Sequence, residues 1–309
     1  MRLPEPLRSR ALTTGLSNLA PTVANLSFTT TPAEAGERFT ALTSDALLDE
    51  LHLSPKPGLV DLRGSGAHAD MNVPLMEASI RAIAPAIGRI GEAAWGTEID
   101  IRLRSITAAI GREAERDMLD VTGGVNTHRG AIWALGLIAA AAAAIGPKSA
   151  QEDIAAAAAR LASLPDEGAL WTASAKERNG QRVYRLYGLP GAREEAVAGF
   201  PHVIQVALPR LRFERAKGLP EDVARLHALL GLMATLPDTC IASRAGLEGL
   251  AFTQASAMRV LRLGGLETEA GERAFLDFDR AMTEQRLSPG GSADLLATAL
   301  FIERIPDAF

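Results

Sequence analysis

Apolar residues recur along this chain at helical spacing, in runs separated by short polar segments rich in glycine and proline. FTALTSDALLDEL (39–51) reads as a short amphipathic helix that stops at the turn signal SPKPG (54–58). Helical character resumes near Pro74 and runs, with breaks, to Trp95. In IRLRSITAAIGREAERDML (101–119), Ile106, Ile110 and Ala114 fall on one helix face. GAIWALGLIAAAAAAIG (130–146) is apolar all round, as a buried helix requires. Further helices are predicted over 151–164, 221–236, 241–255, 266–285 and 293–303, with Ser292 a candidate cap of the last. VYRLYG (183–188) reads as a short extended piece, but no series of alternating strands accompanies it. The pattern predicts an all-α fold. A compact multi-helical domain over 39–309 follows a partly extended lead-in over 1–38 that is rich in Pro, Ser and Thr.

With 309 residues and 47% hydrophobic composition, the chain can bury a large core. A net charge of −5 offers no electrostatic case for nucleic acid as the main partner. Cys240 is the sole cysteine, which excludes an intrachain disulfide and a cysteine-rich zinc site. The 130–146 run falls short of the ~20 residues that span a bilayer, so no membrane partner is expected. The basic start (Arg2, Arg8, Arg10) lacks a following apolar core and cleavage signal, which points to the cytoplasm.

The chemistry-bearing residues sit in the interruptions. PKPGLVDLRGSGAHADM (55–71) gathers Lys56, Asp61, Arg63, His68 and Asp70. Its glycines permit close backbone approach, its cations suit phosphate, and its aspartates suit a hard cation or helix caps. VTGGVNTHRGAI (121–132) offers Gly123, Gly124, Asn126, His128 and Arg129 at a helix entrance, where free amides favour anions. It lacks the Walker A pattern, and a plain capping loop explains it as well. Glu115 precedes it, on a helix whose charges mostly read as a solvent face. YGLPGAREEAVAGFP (187–201) carries Arg193, a phosphate ligand or a surface ion-pair partner. In LPDTC (236–240), Asp238 is a metal ligand or an N-cap, and in SPGGSAD (288–294), Gly290 and Gly291 bring backbone donors to a phosphate or cap the last helix. His52, His202 and His227 read as packed or surface groups, and Trp95, Trp133 and Trp171 as core or rim packing.

Taken in order, the 55–71 and 121–132 segments, GAREEAVAGFP, PDTC and SPGGSADLL together resemble the triphosphoribosyl-dephospho-coenzyme A synthase family over roughly 39–303. RAG at 244–246 departs from the more glycine-rich element expected there, leaving open the backbone role of Ala245. The resemblance implies a helical enzyme with a glycine-lined nucleotide cleft. It would join ATP to the 2′-hydroxyl of 3′-dephospho-coenzyme A, release adenine, and make a prosthetic-group precursor. Pathway partners would be a downstream prosthetic-group transferase and an acyl-carrier subunit, of malonate decarboxylase by preference over citrate lyase. It further implies Mg2+ held by Asp61, Glu115 and Asp238, and phosphates held by Lys56, Arg63, Asn126, Arg129, Arg193 and the glycines at 123–124 and 290–291. Asp70 becomes a candidate base, His68 its orienter or an acid, and His128 an aid to adenine departure. A nucleotide N-glycosidic hydrolase and a noncatalytic helical interaction module are the competing readings.

Overall fold

A computed structural model describes residues 30–166, 168 and 179–309; Trp171 and most of the 1–38 lead-in lie outside these. The described residues form helices and no strands, in accord with the all-α expectation. The order is α1 (Pro32–His52), α2 (Val73–Ala94), α3 (Ile101–Val121), α4 (Arg129–Ile145), α5 (Gln151–Ser163) and α6 (Asn179–Tyr187). It continues with α7 (Ala192–Val197), α8 (Leu208–Ala216), α9 (Glu221–Thr235), α10 (Thr239–Arg262), α11 (Glu269–Glu284) and α12 (Gly290–Ala308).

Several elements depart from the periodicity reading. α1 starts at Pro32, inside the expected lead-in, because Thr31 and Glu34 form a reciprocal capping box. VYRLYG is helical in α6 instead of extended: Val183 is its buried residue, and α6 docks on α10. A helical stretch from Val203 through α8 also escaped the sequence reading. α10 runs past its expected end and breaks at Ala245–Gly246, where Gly246 takes φ +64°. The positive φ falls on the glycine of RAG, so Ala245 need not supply it.

α4 is the core helix. Its residues from Ala139 to Ala143 are fully buried, and its neighbours are α2, α3, α5 and α12. Alanine side chains lose almost no rotamer entropy on burial and let surrounding helices approach closely. No single described helix is long and apolar enough to cross a membrane.

α1 and α2 cross at close range. A Cβ on Gly88 would collide with Thr40 Oγ1 and the Gly36 carbonyl, and one on Gly91 with the Phe39 ring. Gly88→Val should therefore destabilise the fold by roughly 1–3 kcal/mol through overpacking. Urea unfolding measures it; an unchanged midpoint would mean that α1 and α2 have room to separate.

Candidate functional site

The connection between α1 and α2 is tied down by its own charges. Lys56, only 1% exposed, donates through Nζ to the Glu50 carbonyl and to Glu50 Oε1, both at 2.6 Å. Asp61, 2% exposed, accepts from Arg63 N on Oδ1 (2.8 Å). Its Oδ2 accepts from Lys56 N (2.8 Å), Arg63 Nε (2.9 Å) and Arg63 Nη2 (2.7 Å). Burial works to raise the Asp61 pKa, yet these donors together hold it below the ordinary carboxylate value. The Arg63 fork also grips Asp279 of α11 at 2.7 and 3.1 Å, joining the loop to a distant helix. Gly58, at φ +70°, lies so close to the Leu287 carbonyl that no side chain fits.

The same loop meets the entrance of α12 through His68. Its Nε2 lies 2.7 Å from Ser288 Oγ, and its Nδ1 lies 3.5 Å from Asp70 Oδ1 and 3.4 Å from Arg244 Nη2. Burial first, then the Arg244 charge, lowers the His68 pKa, which favours a neutral imidazole. Asp70 remains 62% exposed.

His128 is buried at the start of α4. Its Nδ1 lies 2.8 Å from Ser79 Oγ, which lies 2.7 Å from Thr127 Oγ1, while Nε2 is buried without a hydrogen-bond partner. Burial, then nearby Lys56, depresses its pKa to about 3, so it is uncharged at neutral pH. Arg129 and Glu115, read as a phosphate ligand and a metal ligand, form an ion pair at 2.9 Å. Asn126 accepts from Arg129 N (3.3 Å). Gly123 and Gly124 take positive φ as α3 ends, and open space surrounds the position of a Cβ on either.

Asp238 is an N-cap twice over. It accepts from Cys240 N (2.9 Å) in α10, and from Gly291 N (3.3 Å), Ser292 N (2.9 Å) and Ser292 Oγ (3.0 Å) in α12. Burial raises its pKa despite these donors. The Gly291 amide is thus already engaged, and Gly290 sits against Cys240. Arg193 is exposed on α7, whose neighbours are α4 and α5, at 3.9 Å from Glu194.

Asp61, Glu115 and Asp238 therefore belong to separate bonded units and build no common cation site. Among the described residues, Glu214, His227 and Glu267 are the group with ligand atoms close enough to share a metal ion. That group is explained without one: Lys217 bridges the two carboxylates, His227 Nε2 accepts from Leu266 N (2.9 Å), and Nδ1 faces Glu214 (3.1 Å). The glycines at 123–124 and 290–291 line neither of two surface hollows among the described residues. A surface hollow of about 460 Å3 is lined by Ile99, Ala159, Arg160, Ser163, Leu164 and Val197. Arg193 borders the adjoining hollow, together with Ser163 and Glu194.

Asp294 is a residue that sequence reasoning missed. From α12 its carboxylate accepts from Ala131 N in the first turn of α4, and Gly130 leaves it room. Burial, followed by the charges of Glu50 and Asp238, raises its pKa well above the usual value. The acceptor at this helix entrance is supplied by the protein itself. The SPGGSAD motif holds the residue, yet its role depends on α12 crossing the start of α4.

Comparison with known proteins bears on what these loops serve. The ATP:dephospho-CoA triphosphoribosyl transferase family matches residues 36–309. A Klebsiella pneumoniae protein, 2-(5''-triphosphoribosyl)-3'-dephosphocoenzyme-A synthase, is 48% identical over 88% of this chain and 96% of its own. An Azotobacter vinelandii protein bearing that name with the qualifier "Probable" is 52% identical over 87% of this chain and 91% of its own. One from Pseudomonas paraeruginosa, named likewise, is 47% identical over 93% and 96%.

The His128 geometry makes a pH prediction. Its folded pKa of about 3 lies below the free value of 6.5, so the unfolded chain takes up the proton first. The stability this adds is complete above pH 6.5 and lost as pH falls toward 3. His128→Gln should unfold with a shallower loss of stability across that window. Parallel curves for the two proteins would show that the imidazole protonates readily inside the fold.

Proposed function

Because the chain belongs to the ATP:dephospho-CoA triphosphoribosyl transferase family, we infer that it is an enzyme joining ATP to 3′-dephospho-coenzyme A. The acceptor's 2′-hydroxyl oxygen bonds to C1′ of ATP, the C1′–N9 bond breaks, and adenine leaves with the bonding pair. The hydroxyl proton passes to a base and adenine acquires one, giving 2′-(5″-triphosphoribosyl)-3′-dephospho-coenzyme A. The observation that carries this reading is the family match over residues 36–309.

The triphosphate stays intact, so the protein's tasks are to hold two polyanions and to stabilise positive character on the ribose. Fixing both substrates removes much of the entropy of their encounter. We assign the acceptor proton to Asp70, with His68 as the group that positions it. Ser288 and Arg244 fix the His68 ring, and its neutral state lets it accept or share a hydrogen bond. His128, also neutral, serves adenine as a hydrogen-bonding group through Nε2, since burial and Lys56 oppose an imidazolium there.

Arg63, Arg129 and Arg193 keep part of their surface in solvent and are the proposed phosphate ligands, and the open Gly123–Gly124 backbone is a further proposed contact. Lys56 is committed to Glu50 and acts through the electrostatic field it adds near His128. Asp61, Glu115 and Asp238 do not fit a resident magnesium, because each is spent on a separate partner. For the pathway, we favour an acyl-carrier subunit of malonate decarboxylase over one of citrate lyase, on overall sequence likeness.

Incubation with ATP, magnesium and 3′-dephospho-coenzyme A should yield equal amounts of adenine and joined product by mass spectrometry. Adenine without the joined product would mean a hydrolase, and neither would mean a noncatalytic module. Asp70→Asn should lower kcat by roughly 100-fold or more with little change in KM; normal turnover in this variant would remove Asp70 from the base role.

A further inference from the structure

Arg104, in the first turn of α3, carries a guanidinium with two nitrogens that the described residues leave unsatisfied. It is 6% exposed, and its Nε and Nη1 are buried without a hydrogen-bond partner. Thr107, one turn along the same helix face, is also 6% exposed, and its Oγ1 likewise lacks a partner. A buried charge without a hydrogen-bonded partner is costly, and folds ordinarily supply a carboxylate.

Here the carboxylate that influences Arg104, Asp166, has other partners. Burial is the main cause lowering the Arg104 pKa; the Asp166 charge opposes it, and the charges of Arg112 and Arg193 lower it further. Asp166 is already engaged, by Arg112 Nη1 at 2.6 Å and by Gly168 N at 3.1 Å. Glu194 lies 3.9 Å from Arg193 and is itself substantially exposed. The Arg104 guanidinium lies over the Trp133 ring of α4, 5.3 Å from its centroid. Trp133 Nε1 donates to the Ala192 carbonyl (3.1 Å), which holds α7, and with it Arg193, beside this group. Arg104 and Thr107 thus present buried donors that no described residue accepts from, and the charges of Arg112 on α3 and Arg193 on α7 act on the same guanidinium.

We propose that Arg104, Thr107, Arg112 and Arg193 form an anion subsite that takes a phosphate of the phosphoanhydride chain of one of the two substrates. Arginine's donor fork matches phosphate oxygens, and the Thr107 hydroxyl adds a donor without adding charge. The choice of phosphate over another anion rests on the ATP-joining reaction proposed above. Both substrates carry such a chain, ATP as a triphosphate and the acceptor as a diphosphate.

The test uses the full chain and inorganic tripolyphosphate at fixed ionic strength, followed by thermal shift. Tripolyphosphate should raise the wild-type Tm. Arg104→Met and Thr107→Val should each weaken that binding at least tenfold, while ligand-free Arg104→Met should melt at or above the wild-type temperature because an unpaired buried charge is gone. A lower ligand-free Tm with undiminished tripolyphosphate binding would make Arg104 a structural partner of Trp133 and overturn the proposal. Should Arg104→Met not fold, Arg104→Lys and Thr107→Val carry the same test.

KM values for the two substrates then assign the source. At least a tenfold rise for ATP or for 3′-dephospho-coenzyme A, with kcat nearly kept, names the chain that is held; two unchanged KM values overturn the subsite. Wild-type product formation reports separately on the reaction. A wild type that binds tripolyphosphate through Arg104 but makes no joined product keeps the subsite and removes the reaction.

Discussion

Helices α4, α10 and α12 begin at half-buried positions beside buried His128, Asp238 and Pro289, and each brings unpaired first-turn amides there. The first turns of a helix have no internal acceptors for these amides. The fold solves this with acids from elsewhere: Asp238 serves the entrances of both α10 and α12, and Asp294 serves that of α4. Gly130 and Gly291 lie directly against these carboxylates, where a side chain would meet them. Helix entrances and loops therefore converge, and their convergence sets the character of the candidate site.

One consequence is that its carboxylates are employed before any substrate arrives. Asp61 spends its lone pairs on Arg63 and two backbone amides, and Glu115 pairs with Arg129. Exposed Asp70, in contact with a neutral and well-anchored His68, keeps a carboxylate facing solvent. A base and a capping carboxyl are chemically the same side chain; burial and the number of donors already bound separate the two.

The arginines divide along similar lines. Arg63 ties the α1–α2 loop to α11 through two aspartates while its half-exposed side chain still faces solvent, where the proposed phosphate contact would form. Arg104 is buried over the Trp133 ring with donors to spare, and the charges of two further arginines act on it. Stability alone would disfavour that arrangement, whereas an arriving polyanion would complete it.

Much of the helical plan was legible in the chain, since α2 to α5 and α9 to α12 carry strong apolar periodicity and turn residues that end them. The misread pieces were short or weakly patterned. α6 shows one buried residue, so its state follows from docking on α10, and the start of α1 hangs on a capping box outside the periodic run. The motif loops were also visible, because glycine, proline and charge cluster there for reasons of backbone geometry and solvation. The partner of each charge was not visible. Periodicity reports which face of a segment is apolar; it carries no record of which distant segment will lie across it. Only helix crossing decided that Arg129 would meet Glu115, that Asp238 would cap two helices, that Asp294 would close the entrance of α4, and that Arg104 would be buried over Trp133 with donors unpaired.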